Sequence, residues 1–141
     1  MNSLTIGDVM ENAPPFIRIG QPLDEVVTKL IDHHVTGLPV VNDKHELVGF
    51  VSEQDCIHSL KVSSYHCDGV VMVEDVMNPE VYAIRPDMML IDLVEHMGNN
   101  KPKVFPVTSE GRLIGLITRP QVLLVLAESC IGCGFTFKPS H

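Results

Sequence analysis

The chain repeats itself, and that duplication limits its fold more than any other feature. Asp8-Val9-Met10 recurs as Asp75-Val76-Met77, Ile17-Arg18 as Ile84-Arg85, and Pro39-Val40 as Pro106-Val107, all at an offset of 67 residues. Further on the offset drops to 66, so that Leu47-Val48-Gly49-Phe50-Val51-Ser52 matches Leu113-Ile114-Gly115-Leu116-Ile117-Thr118, and the second copy is one residue shorter in the intervening loop. Apolar positions, glycines and prolines recurring in register mark an internal duplication. Half of a 141-residue chain buries too little apolar surface to be stable alone, so the two copies are expected to pack together.

Periodicity supplies the elements. Leu23, Val26, Val27, Leu30 and Ile31 lie at helical spacing, and Leu90, Leu93, Val94 and Met97 repeat the stripe, which predicts an amphipathic helix in each copy. Apolar runs at 38–41 and 47–51, and again at 104–108 and 113–117, flank polar turns and read as hairpins. Short strands are expected at 16–19 and 81–84, and second helices open at Ser52 and Thr118, running to about Leu60 and Glu128. Each copy is therefore β-α-β-β-α, an α/β (α+β) arrangement. The expected layout is 4–60 for the first repeat, 61–72 for a linker, 73–128 for the second repeat, and 129–141 for a tail containing Cys and Gly.

A net charge of −8 argues against nucleic acid or an anionic membrane surface as the main partner. The apolar run at 122–127 is far shorter than the ~20 residues that span a bilayer, and no signal-peptide pattern opens the sequence, so a cytoplasmic location is expected. Cys56, Cys67, Cys130 and Cys133 then read as reduced thiols. No activated nucleophile, acid and base pair or Walker-type loop is visible, so an enzyme is not expected.

The ordered pieces, namely Asp-Val-Met, an apolar-Pro-Val strand (Leu38-Pro39-Val40; Phe105-Pro106-Val107) and a Gly-apolar-apolar-Ser/Thr turn into a helix (Gly49 to Ser52; Gly115 to Thr118), together resemble the CBS domain, named after cystathionine beta-synthase. The resemblance covers residues 4–128. It implies two repeats packed sheet to sheet about a pseudo-two-fold axis, with clefts that bind AMP, ADP, ATP or S-adenosylmethionine. It also implies a homodimer and a regulatory role toward a protein target that the sequence does not identify.

By the same resemblance, Gly49-Phe50-Val51-Ser52-Glu53-Gln54-Asp55 places Asp55 on ribose hydroxyls and Ser52 on ribose or phosphate. A carboxylate accepts two hydrogen bonds from a cis-diol, and a helix N-terminus favours phosphate. Ser-x-x-Asp is equally a capping box, a purely structural arrangement compatible with the first. Asn78, Val81, Tyr82, Lys103 and Val104 are the residues assigned to adenine and phosphate, with Pro102 beside them. In the second copy Gln121 replaces the aspartate, and Thr118 with Gln121 forms a capping box of its own; a second, weaker site there would use Thr118, Gln121, Thr36 and Gly37.

Lys101, Lys103, Arg112 and Arg119 form a local basic excess that could hold phosphate or be an ordinary solvated face. His33 and His34 read as helix-end residues, and the methionines as filler of core and inter-repeat gaps. Two other functions stay open: a ligand-free dimerisation or docking scaffold, and a metal or redox protein acting through Cys130-x-x-Cys133, with His66 and Cys67 as conceivable completion. No metal site is assigned.

Overall fold

The computed structural model describes residues 4–66, 69–97 and 104–129. Among them five helices and two three-stranded sheets form, in the order α1 (Ile6–Val9), β1 (Glu11–Asn12), β2 (Ile17–Arg18), α2 (Leu23–His33), β3 (Gly37–Val41), β4 (Leu47–Ser52), α3 (Glu53–His66), a 3₁₀ turn (Val73–Asp75), α4 (Leu90–His96), β5 (Val104–Ser109), β6 (Arg112–Thr118) and α5 (Arg119–Ser129).

These elements divide into two compact units that are not consecutive halves. The first unit holds Ala13–Tyr82 with Glu110–Leu113; the second gathers the N-terminal segment through Asn12 with Ala83–Ser109 and the chain from Ile114 onward. In the first unit, β2 runs parallel to β3, which pairs antiparallel with β4 from Gly37↔Ser52 to Val41↔Leu47. The helix α2 lays Leu23, Val26 and Leu30 against this sheet, in a core with Ile17, Leu38, Val40, Val51 and Cys56. In the second unit the order is β1-β6-β5, and Leu90 and Leu93 of α4 bury with Phe105, Val107, Ile117 and Val122.

Each unit borrows a leading arm from the other copy. Val73, fully buried in the first core, belongs to the second repeat, and its counterpart Ile6, fully buried in the second core, belongs to the first. The pairings are equivalent too: Asn78 bridges Phe50, while Glu11 pairs with Leu116 on β6. Asp8 starts its arm as a cap, its Oδ2 accepting the Thr5 backbone N–H at 2.9 Å and the Thr5 hydroxyl at 3.0 Å. Those bonds to the charged form hold its carboxyl below the ordinary value. Asp75 accepts the Met72 N–H at 3.1 Å in the same way.

Met10 and Met77 end the arms, and the glycines of the repeated hairpins receive them. A Cβ on Gly115 would collide with Met10 Sδ and approach the Glu11 carbonyl to 3.0 Å; one on Gly49 would collide with Met77 Sδ and approach the Asn78 carbonyl to 3.2 Å. Asp-Val-Met and the hairpin glycine are thus two halves of one contact, made between copies.

The expected elements form, with three differences. The strand expected at 81–84 contracts to one bridge, Ile84 with Val107. In the first copy Ile19 N–H extends the parallel ladder to the Val41 carbonyl at 2.9 Å, but the residue in its place is Pro86, which has no N–H to give. The helix α3 runs to His66, past the expected end at Leu60, because no Gly or Pro interrupts the chain before Gly69. Ile31, assigned to the buried stripe of α2, is instead 64% exposed.

Candidate functional site

At the open end of the β3–β4 hairpin, Gly37 faces Ser52, and the chain turns from β4 directly into α3. The Glu53 N–H donates to the Thr36 carbonyl at 2.8 Å, tying the start of α3 to the residue before β3. Gly37 is required here, since a Cβ would collide with the Phe50 ring and approach the Val51 carbonyl to 3.1 Å.

Ser52 and Asp55 close a reciprocal capping box. The Ser52 N–H donates to Asp55 Oδ2 at 2.9 Å, and the Asp55 N–H donates to Ser52 Oγ at 3.1 Å. The capping alternative raised by the Ser-x-x-Asp spacing is therefore realised. It engages one carboxylate oxygen through one bond, and an ionised carboxylate has about four acceptor positions, so a capped Asp55 can still take a diol. Both side chains are half-buried, reachable from solvent.

Asn78 docks two residues before Ser52 on the same strand: its N–H donates to the Phe50 carbonyl at 2.8 Å and its carbonyl accepts the Phe50 N–H at 2.9 Å. Its Oδ1 accepts the Glu80 N–H at 2.9 Å, turning the chain toward half-buried Val81 and Tyr82, which is 53% exposed. The first unit thus carries Ser52, Asp55, Asn78, Val81, Tyr82, Thr36 and Gly37.

Val104, Thr118 and Gln121 belong to the second unit. The Thr118 N–H donates to Gln121 Oε1 at 2.8 Å and the Gln121 N–H donates to Thr118 Oγ1 at 3.4 Å, so this box also caps its helix, with a neutral amide in place of the carboxylate. Lys101, Pro102, Lys103, Cys67 and the Cys130-x-x-Cys133 pair lie outside the described residues. No group of three or more His, Cys, Asp or Glu suited to a metal occurs among the described residues, and none of their helices is long and apolar enough to cross a membrane.

Cys56 is a neighbour of the site that residue spacing does not mark. It follows Asp55, is 3% exposed, and its thiol is pushed up by burial first and by the Asp55 charge second. Cys56 also lines a groove of about 530 Å³ between α2 and α3, with Thr36, Glu53, Ile31, Ile57 and Leu60. Spacing gives no signal for that groove, because its apolar residues sit on faces the helical stripe assigns to the core or to solvent.

A family model described as the CBS domain matches residues 6–62 and 73–128. Among curated proteins, an uncharacterized protein of Methanocaldococcus jannaschii, MJ1225, is 28% identical over 123 residues; the match covers 87% of this chain, which spans 43% of that protein's length. Among solved structures, CBSX2 in complex with AMP superposes with a TM-score of 0.77 at 28% identity, covering 90% of this chain and 98% of that one; CBSX2 is a CBS-pair protein from Arabidopsis thaliana. An AcuB protein from Vibrio cholerae, described as a putative acetoin utilization protein, superposes with a TM-score of 0.80 at 20% identity, covering 96% and 98% of the two chains.

Proposed function

The chain belongs to the CBS domain family, with two copies of the domain in tandem, and from that premise we propose that it is a cytoplasmic regulatory module that binds an adenine nucleotide and signals to a partner. The observation that carries this reading is the Ser52–Asp55 constellation: a half-buried carboxylate and hydroxyl at the start of α3, beside the Thr36-Gly37 turn. The AMP held by CBSX2 supports an adenosine ligand. Asp55 takes the ribose diol and Ser52 the ribose or phosphate, with Asn78, Val81 and Tyr82 reading the base. Lys103 and Val104 are the second-copy residues the same reading assigns to phosphate and adenine. Gln121 offers a neutral amide where Asp55 offers a charge, so a site on Thr118 and Gln121 is the weaker one.

A ligand that binds the native state alone stabilises it by about 2.7 kcal/mol at one hundred times its Kd. AMP should therefore raise the thermal midpoint. In calorimetric titration Asp55→Asn, which keeps a cap acceptor and loses the charge, should weaken AMP at least tenfold, and Gln121→Ala should leave the tighter site unchanged. AMP, ADP, ATP and S-adenosylmethionine all failing to bind, or Asp55→Asn binding as wild type does, would overturn the proposal.

The module is further proposed to act as a homodimer. Ile57 of α3 is 62% exposed, and Leu123, its equivalent on α5, is 67% exposed. Their neighbours Cys56 and Val122 are buried in both copies, at 3% and 4%. The same apolar position is bare in both copies, which offers a second copy of the chain a repeated apolar contact.

A further inference from the structure

At the turn end of the β3–β4 hairpin the first unit gathers two cations and a histidine around one aromatic ring, and neither cation has an ion-pair partner among the described residues. Phe16 precedes β2, and the His45 ring stands edge-on to it, with centroids 4.8 Å apart and planes at 89°. The Arg18 guanidinium lies 5.8 Å from the same ring centroid and the Lys29 ammonium 5.2 Å. Lys29 Nζ also donates to the Phe16 carbonyl at 2.5 Å, which fixes the cation in place. His45 takes a left-handed backbone, φ 64°, the turn conformation that its counterpart Gly111 also adopts, at φ 82°.

Among the described residues neither Arg18 nor Lys29 has a carboxylate within ion-pair distance, in a chain where 18 acids outnumber 10 bases. The acids around the cluster are Asp24, Glu25 and Asp32, which share a surface pocket with Lys29, and Asp43 and Glu46 in the turn with His45; none of them comes within ion-pair distance of Arg18 or Lys29, Glu25 accepting instead from Gln21 at 3.1 Å and Glu46 from Asn42 at 3.0 Å. Aromatic contact stabilises each cation, but it neutralises neither.

The duplication supplies the control. Arg85, the counterpart of Arg18, is neutralised by Asp87 through two bonds of 3.1 and 2.6 Å. In the first copy Gly20 stands at the position of Asp87, Phe16 at that of Ala83, and Lys29 at that of His96. The turn that carries His45 is the one that is a residue longer than its counterpart. The first copy thus lacks the acid, and around a ring absent from the second copy it places a lysine where that copy has His96 and a histidine where it has Gly111.

We infer that Arg18, Lys29 and His45, arrayed around Phe16, form a second anion site that takes the phosphoryl group of a small metabolite, separate from the Ser52–Asp55 site. Guanidinium, ammonium and imidazole are all donors suited to phosphate oxygens. The two sites lie at opposite ends of β3, since Arg18 pairs with Val41 and Ser52 with Gly37, a separation of about 13 Å at the ~3.3 Å rise of a strand.

The test uses the full chain at low ionic strength with inorganic pyrophosphate as probe, read by calorimetric titration and by ³¹P line broadening. Arg18→Gln, at an exposed position and expected to keep the wild-type thermal midpoint, should weaken pyrophosphate at least tenfold, as should Lys29→Gln. Arg85→Gln and Asp55→Asn should bind it as wild type does. No binding to wild type, wild-type binding by Arg18→Gln, or equal weakening by Arg85→Gln would overturn the assignment. Loss in Asp55→Asn would overturn it too, by moving the pyrophosphate to the other site. AMP binding by Arg18→Gln is expected to be unchanged, so failure of one site is distinguishable from failure of the other.

Discussion

Cys56 sits where two demands meet, packed into the first core and adjacent in sequence to the carboxylate proposed to hold ribose. Its thiol is raised above the ordinary value of 9.0 by loss of water first and by the Asp55 charge second. In the unfolded chain neither influence acts, so the folded state binds the proton more tightly. The stability tied to this group is whole below the unfolded thiol's range and is lost as pH rises through the folded value. Cys56→Val, the residue the second copy carries as Val122, removes the titration at little cost in volume. Urea unfolding at pH 8 and pH 10 should show a smaller alkaline loss for Cys56→Val than for wild type; equal losses would mean that Cys56 does not set the alkaline limit. In the native protein the thiol should react with alkylating reagents more slowly than an exposed one, since the thiolate is the nucleophile.

At the scale of elements, the arms and hairpins interlock through a methionine on a glycine. The contact differs slightly between copies: at both glycines the movable methionine end is the nearest obstacle, but the backbone carbonyl behind it is closer at Gly115 (Glu11, 3.0 Å) than at Gly49 (Asn78, 3.2 Å). Gly115→Ala should cost about 1–3 kcal/mol as an overpacked site, a fall in thermal midpoint of about 2–4 °C per kcal/mol for a chain of this size. Removing the obstacle should return part of that loss, so Gly115→Ala with Met10→Ala should cost less than the sum of the two, and strict additivity would deny the contact. The elements themselves are legible in sequence because Leu23, Val26 and Leu30 keep helical spacing and the hairpins alternate with polar turns. The helix α1 of four residues and β1 of two are too short to carry a period. Nor does local sequence state which copy an arm will pack on. The capping boxes at Ser52 and Thr118 are visible as spacing, while the ring of Arg18, Lys29 and His45 around Phe16 is assembled by strand pairing between residues far apart in the chain.

For the whole molecule, duplication has kept some features and let others diverge. The cores correspond position by position, Ile17 with Ile84, Leu23 with Leu90, Val40 with Val107, and Val51 with Ile117, because a packed interior tolerates little change in volume. The positions proposed to face ligands have separated, with Asp55 against Gln121, and Arg18, which has no ion-pair partner among the described residues, against the Arg85–Asp87 pair. One exposed feature recurs in both copies, and no core among the described residues takes it in: Ile57 and Leu123 stand out from α3 and α5 at nearly equal exposure. An exposed apolar side chain contributes nothing to folding, whereas a stable contact between copies needs about 1,000 Å² with apolar anchors at its centre. Sedimentation equilibrium should give twice the 15.6 kDa chain mass for wild type. Ile57→Asp and Leu123→Asp, each placing a charge where the partner packs, should shift the protein toward the monomer while leaving the far-UV spectrum unchanged, since neither side chain enters a core. A wild type that sediments as a monomer, or charged variants that remain dimeric, would leave the repeated exposure of these two positions to some other partner.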